Sequence, residues 1–139
     1  MPQLQTFDCF QLDLGLGQHD FAVDTLKFCL TNTAPSLSAD SVLADIDEVD
    51  LTDLVGTHEF TTISWSQGAG VAELVVGDVN EESSGTVGPF RWIVAYNDTT
   101  VGKPLVGLLD TGITQSIFDE KHLEIVQTPG TPFLKAQRG

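Results

Sequence analysis

The sequence predicts an all-β fold: an antiparallel β-sandwich of about seven or eight strands, with one long irregular excursion and a short helix. Three observations carry this expectation. Residues 88–100, Gly-Pro-Phe-Arg-Trp-Ile-Val-Ala-Tyr-Asn-Asp-Thr-Thr, run into Lys-Pro-Leu-Val-Gly-Leu-Leu-Asp-Thr-Gly at 103–112, so two long apolar strands are joined by a polar turn. Leu26, Phe28 and Leu30 point one way with Lys27, Cys29 and Thr31 opposite, the period of two of a strand with one buried face. Glycine, proline, asparagine and aspartate interrupt the apolar runs at the spacing of hairpins.

From the start of the chain, Phe10, Leu12, Leu14 and Leu16 alternate with Gln11, Asp13 and Gly15, while Phe7, Phe10 and Leu14 also trace a helical stripe; the strand is preferred. Asn32-Thr33-Ala34-Pro35 closes the strand at 26–31. Residues 34–57 lack sustained periodicity and are rich in serine and aspartate, which predicts the excursion, with one turn of helix around Ser-Ala-Asp-Ser-Val-Leu-Ala-Asp-Ile at 38–46. Thr61, Ile63 and Trp65 share one side of a strand at 59–66. The break at 67–70 returns the chain into Val71 to Val76 as a hairpin.

After a polar turn at 80–88, Phe90, Trp92, Val94 and Tyr96 line one face of the next strand and Ile93 and Ala95 the other, as in an interior strand covered on both sides. Leu105 to Leu109 continue the pattern, and Leu123 to Val126 form a last short strand before Pro129 and Pro132. Residues 1–139 thus read as a single β-sandwich domain, with 1–6 and 129–139 as extended arms.

At 139 residues the chain buries an adequate core without staples, and two domains would each be marginal. Twenty acidic residues against six basic ones give a formal charge of −14, which repels phosphate backbones and anionic lipids and argues against nucleic acid and membrane as partners. Hydrophobic residues make up 41%, so the acids decorate a foldable chain. No apolar run approaches the roughly 20 residues of a membrane span, and Met-Pro-Gln-Leu-Gln-Thr-Phe-Asp is unlike a signal peptide, so synthesis in a cytoplasm is expected. Cys9 and Cys29 are expected as reduced thiols.

The sharpest chemical signal is Leu108-Leu109-Asp110-Thr111-Gly112, which is similar to the catalytic loop of retroviral-type aspartic proteases. Such an enzyme needs two carboxylates sharing one proton. The family's loop lies near the start of its domain and is followed by a long β-rich stretch and a Gly-Arg-Asp or Gly-Arg-Asn segment; here little chain follows and that segment does not occur. Asp110 and Gly112 are instead expected to turn the chain at the end of a buried strand.

Asp45, Asp47, Glu48, Asp50 and Asp53 offer enough oxygens for calcium but miss the spacing of an EF-hand, and a solvated acidic loop is the expectation. His19, His58 and His122 stand without zinc-like spacing and are expected as structural or surface residues. The sequence contains no Gly-x-Ser-x-Gly elbow, and Gly-Leu-Gly-Gln-His-Asp at 15–20 lacks the lysine of a phosphate loop. The aromatics alternate with acids, unlike a base-stacking surface. No enzyme, catalytic residue, cofactor or metal is expected.

Two stretches resemble small tailed-phage and prophage virion proteins. The first is residues 24–49, with Asp-Thr-Leu-Lys, Leu-Thr-Asn-Thr-Ala-Pro and Val-Leu-Ala-Asp-Ile as its telling parts. The second runs from Phe-Thr-Thr-Ile-Ser-Trp at 60–65 to the Asp-Thr-Gly at 110–112, through a strand ending in an aromatic, an Asn-Asp-Thr turn and Lys-Pro-Leu. Residues 48–59, where the group carries a Gly-Tyr-rich segment, and the C-terminal tail depart from that pattern.

The resemblance implies a virion structural component, in first place a capsid-decorating (cement) protein bound to the outside of the head. Its partners would be the major capsid protein and further copies of itself as dimer or trimer; a tail or head-tail connector component is the alternative. Among the tail residues 128–139, Phe133, Leu134, Lys135 and Arg138 combine apolar and basic character and are expected to contact an acidic or apolar groove of the capsid protein, as is the arm at 1–7.

Overall fold

Strand alternation in this chain resolves, among the described residues, into eleven short or long strands around one main core. The computed structural model describes residues 4–68, 71–126 and 134–137. In chain order these are β1 (Gln5–Thr6), helix α1 (Asp8–Gly15), β2 (Leu26–Thr31), a 3-10 turn (Leu43–Asp45), β3 (Leu54–Val55), β4 (Glu59–Phe60), β5 (Thr62–Gly68), β6 (Val71–Val76), β7 (Val79–Ser83), β8 (Val87–Asn97), β9 (Leu105–Ile117), β10 (His122–Ile125) and β11 (Leu134–Gln137). Five of them form a sheet in the order β1-β9-β8-β2-β4; two three-stranded sheets follow the orders β10-β7-β3 and β11-β6-β5. Every pairing is antiparallel. The all-β expectation holds. The strand count is higher because β1, β3 and β4 are two-residue pairings with no periodicity of their own.

The main core lies between the large sheet and the two small ones. It joins Leu26, Phe28 and Leu30 of β2 and Ile93 and Ala95 of β8 to Leu74 and Val76 of β6, Val79 of β7 and Leu123 and Ile125 of β10. The opposite face of the large sheet is covered too. Cys29, Val94, Tyr96, Leu105 and Leu108 pack there with Phe7 and Ile46, flanked by Leu37 and Leu43. β8 is therefore the doubly covered interior strand its composition implies, and the 34–57 excursion does structural work as the lid of that second face. Hydrogen bonds from Leu43 N to Lys103 O (3.0 Å) and from Leu105 N to Ser41 O (3.0 Å) pin the lid to β9. This also corrects the reading of β2, whose Cys29 and Thr31 are as buried as Phe28.

Four further expectations are corrected. Residues 8–15 are helical: Phe10 is fully buried while Leu12 and Leu16 are 65% and 63% exposed, so the face a strand would have buried is left in water. A helical turn instead sends Phe7 into the second cluster and Phe10 into the main core. Phe90 joins Ile93 and Ala95 rather than Trp92, because the β8–β9 register shifts between Phe90 and Trp92.

β9 does not end at Leu109 but continues to Ile117, with Gly112 at φ +85° inside an irregular stretch. Both termini, finally, are tied down where they are described. Gln5 and Thr6 pair with Leu108 and Gly107, and a side chain at Gly107 would meet Gln5 O at 2.6 Å. β11 pairs with β6, placing Leu134 opposite Leu74 and in the core.

Candidate functional site

The β8–β9 ribbon has a closed end and an open end. At the closed end Asn97, fully buried, is a hub. Its Nδ2 group points at Asp24 Oδ2 (2.7 Å), His19 Nδ1 (3.1 Å) and Gln18 O (3.2 Å), and its Oδ1 accepts from Thr99 N (3.0 Å) and Thr100 N (3.3 Å). The turn is closed from outside as well. Thr25 N donates to Thr99 Oγ1 (2.8 Å), and Lys27 and Lys103 both reach Asp98, at 3.4 and 3.2 Å. Burial pushes the Asp98 carboxyl up, but the two lysines outweigh it and hold it below its ordinary value. His19 Nδ1 faces the Asn97 amide, and its Nε2 is buried without a hydrogen-bond partner among the described residues. Burial lowers the pKa of this imidazole, which lies against the rings of Phe10 and Phe21.

At the open end the ribbon splits. β9 pairs with β8, whereas β10, after the turn at Phe118–Lys121, pairs with β7. The wedge between them is a groove of about 550 Å³. Its floor is Phe90, Ile93, Leu109, Ile117 and Leu123, and its rim is Asp110, Thr111, Gln115, His122 and Glu124. A largely apolar cleft with a few polar groups at its mouth has the character of a binding site.

Asp110, the residue of the protease-like motif, sits on that rim. Arg91 grips its carboxylate with Nε to Oδ1 (2.9 Å) and Nη2 to Oδ2 (3.1 Å), and Gly112 N donates to Oδ1 (2.8 Å). These contacts hold the Asp110 carboxyl below its ordinary value, the Arg91 hydrogen bonds first. The same guanidinium lies 5.0 Å from the Trp92 ring centre, and Thr111 Oγ1 bonds Arg91 O (2.7 Å). The Asp-Thr-Gly segment thus ties a bulged strand to its neighbour instead of turning the chain at a strand end.

The acids at 45–53 are dispersed into local turns. Asp45 accepts from Ser41 N (2.9 Å) and Val42 N (3.2 Å), which holds its pKa down, and Asp50 accepts from Thr52 Oγ1 (2.5 Å) and Thr52 N (2.9 Å) with the same effect. Asp47 meets Thr33 Oγ1 at 3.3 Å. Among the described residues no group of three or more histidine, cysteine, aspartate or glutamate side chains is placed to hold a metal ion.

His58, at φ +59°, donates its backbone N–H to Glu81 Oε2 (2.8 Å), and its ring meets Oε1; His122 Nδ1 lies 2.7 Å from Asn80 Oδ1. Both cysteines are free, and burial pushes the Cys9 and Cys29 thiols up to about 11 and about 12, which keeps them protonated and unreactive at neutral pH.

Of the tail residues singled out in the sequence, Leu134 is 1% exposed and its role is in the core, which takes it out of any contact surface. Lys135 lies on β11 opposite Glu73, while Phe133 and Arg138 fall outside the described residues, as do 129–132 and 1–3. Sequence reasoning missed Asn97 as a hub, Arg91 as the partner of Asp110, and Glu81 as a buried acid. Only the first had a signal, an asparagine placed where an apolar strand gives way to a polar turn. Comparison of the chain with protein-family models, with curated proteins and with solved structures gives no match.

Proposed function

We propose that this chain is a virion structural protein of the capsid-decorating kind, bound in many copies to the major capsid protein on the outside of a tailed-phage head and acting without catalysis. The observation that carries the reading is the resemblance of residues 24–49 and 60–112 to that group of virion proteins, together with the work those residues do here. Asn97, Asp98 and Thr99 lock the ribbon, Lys103 and Lys27 clamp Asp98, and Asp110 ties β9 to Arg91. They are fold-holding residues, in keeping with a rigid plaque whose use is adhesion. A clamp repeated at every capsomer junction stabilises a shell even when each contact is of ordinary size. Association as dimer or trimer would match local capsid symmetry.

The test is a count of copies per purified particle by quantitative mass spectrometry, with particles probed for heat resistance with and without the protein. Copies in proportion to the major capsid protein, and heads that break at lower temperature without them, are the expected result. A few copies would move the protein to the tail or connector. Absence from particles, or peptide cleavage by the purified chain that Asp110→Asn abolishes, would overturn the reading.

A further inference from the structure

We infer that the groove at the open end receives an extended basic segment of a partner protein, which adds to the free edge of β10 and seats an apolar side chain between β9 and β10. Only the partner's identity as capsid protein rests on the function proposed above. The surface itself is argued from three observations.

The first is shape. Phe90, Ile93, Leu109, Ile117 and Leu123 belong to the main core, so the floor of the groove is where that core reaches the outside, and an apolar side chain placed there would extend it.

The second is the backbone. β10 is the end strand of its sheet, and among the described residues no strand pairs with its far side. Ser83 N donates to Lys121 O (2.8 Å), and the two-residue period then turns the backbone groups of His122 and Glu124 away from β7. Those groups are the donors and acceptors that an added strand uses. Among the described residues β9 beyond Asp110 is likewise unpaired on the side away from β8, since β1 pairs with Gly107 and Leu108.

The third is charge. Glu82 lies opposite His122, Glu120 sits on the turn at positive φ, and Glu124 stands on the rim without an ion-pair partner among the described residues; Lys121 is the cation set against them. Arg91 is occupied by Asp110. Free strand edges are ordinarily protected by charge, and acids of this kind repel a second copy of a chain that carries −14. Lysine or arginine flanking an apolar residue removes that repulsion, so the edge discriminates against itself and in favour of a basic strand.

The experiment uses the full-length chain, isotopically labelled, and two synthetic nonapeptides: one alternating lysine with valine or phenylalanine, and the same peptide with glutamate for lysine. Gln115→Trp blocks the mouth and Glu124→Lys reverses its charge, both at exposed positions, with melting temperature checked to show that the fold is intact. The expected result is saturable amide shifts at His122–Glu124 and Ile117 with the lysine peptide, about tenfold weaker binding of the glutamate peptide, and a comparable loss in either variant. Shifts elsewhere, equal binding by the variants, or no binding at about millimolar peptide would overturn the inference. Particle occupancy measured in parallel separates the two proposals. A protein that decorates heads but ignores the peptide removes the groove alone, and one that binds the peptide but is absent from heads removes the virion assignment alone.

Discussion

One strand, β9, is two different materials. From Leu105 to Leu109 it is buried without interruption, paired to β8 and covered on both faces. From Asp110 to Ser116 it is exposed or half exposed, bulged against β8, and held by polar contacts from Arg91 and Thr111. The first half carries stability, because its side chains are buried between two packed layers. The second half is free to carry recognition, since little of the fold depends on it and a groove opens beside it. The Asn97 network lies at the first end and the Asp110–Arg91 pair at the second, and the two differ in burial in the same way.

Substitutions at matched positions sharpen this contrast. Leu105→Ala, in the fully buried half, should lower unfolding stability by about 3 kcal/mol, within the range for leucine truncation in a core. Ile113→Ala, 65% exposed in the other half, should be nearly silent in the same denaturant titration. Equal losses would erase the distinction. Asn97→Ala should cost about 2 kcal/mol, since it removes a donor from the half-buried carboxylate of Asp24 and the acceptor of the turn amides of Thr99 and Thr100. Hydrogen exchange should show those amides opening before the β8 core does.

Acidity should act on the closed end first. His19 has a folded pKa below its ordinary 6.5, so the unfolded chain binds the proton more readily. Stability therefore falls as pH drops from about 6.5 toward the lowered value. Asp45, Asp50, Asp98 and Asp110 are also lowered, from 3.8, and their contributions are lost only as pH falls below that value. Glu48, raised by burial from 4.5, works in the opposite sense: its destabilising effect is relieved as pH falls through its folded value. Melting temperatures at about pH 7.5 and about pH 5.5 should thus drop for the native chain and drop less for His19→Gln; parallel drops would assign the effect to other groups. The smallest effect is expected for Asp110→Asn. Its partners are more than a third exposed, so the melting temperature should stay nearly unchanged while the amide signals of 111–114 shift.

How much of this could be read without coordinates varies residue by residue. The hairpin of β5 and β6 and the strand read at 123–126, observed as β10 and followed by β11, came from alternation, because a buried face leaves a period of two; the interior position of β8 came from apolar residues on both of its faces. Helix α1 did not, since Phe10, Leu12, Leu14 and Leu16 alternate like a strand while Phe7, Phe10 and Leu14 trace a helical stripe, and only the location of the two cores chooses between them. The tail was also misleading: Phe-Leu-Lys after two prolines reads as a loose arm, yet Leu134 finds a place opposite Leu74. Glu81 reads as a surface acid, and its burial depends on His58, 23 residues earlier in the chain. The groove left no trace at all, being formed by residues from three strands that only the sheet arrangement brings together.

Local pattern alone therefore determined that this is a strand-rich antiparallel chain with β8 at its centre, because side-chain alternation is a property of neighbouring residues. Which strands meet, which polar groups are buried together and where the core opens to solvent were decided by tertiary packing. Those outcomes depend on contacts between residues far apart in the chain, and a one-dimensional pattern carries no record of them.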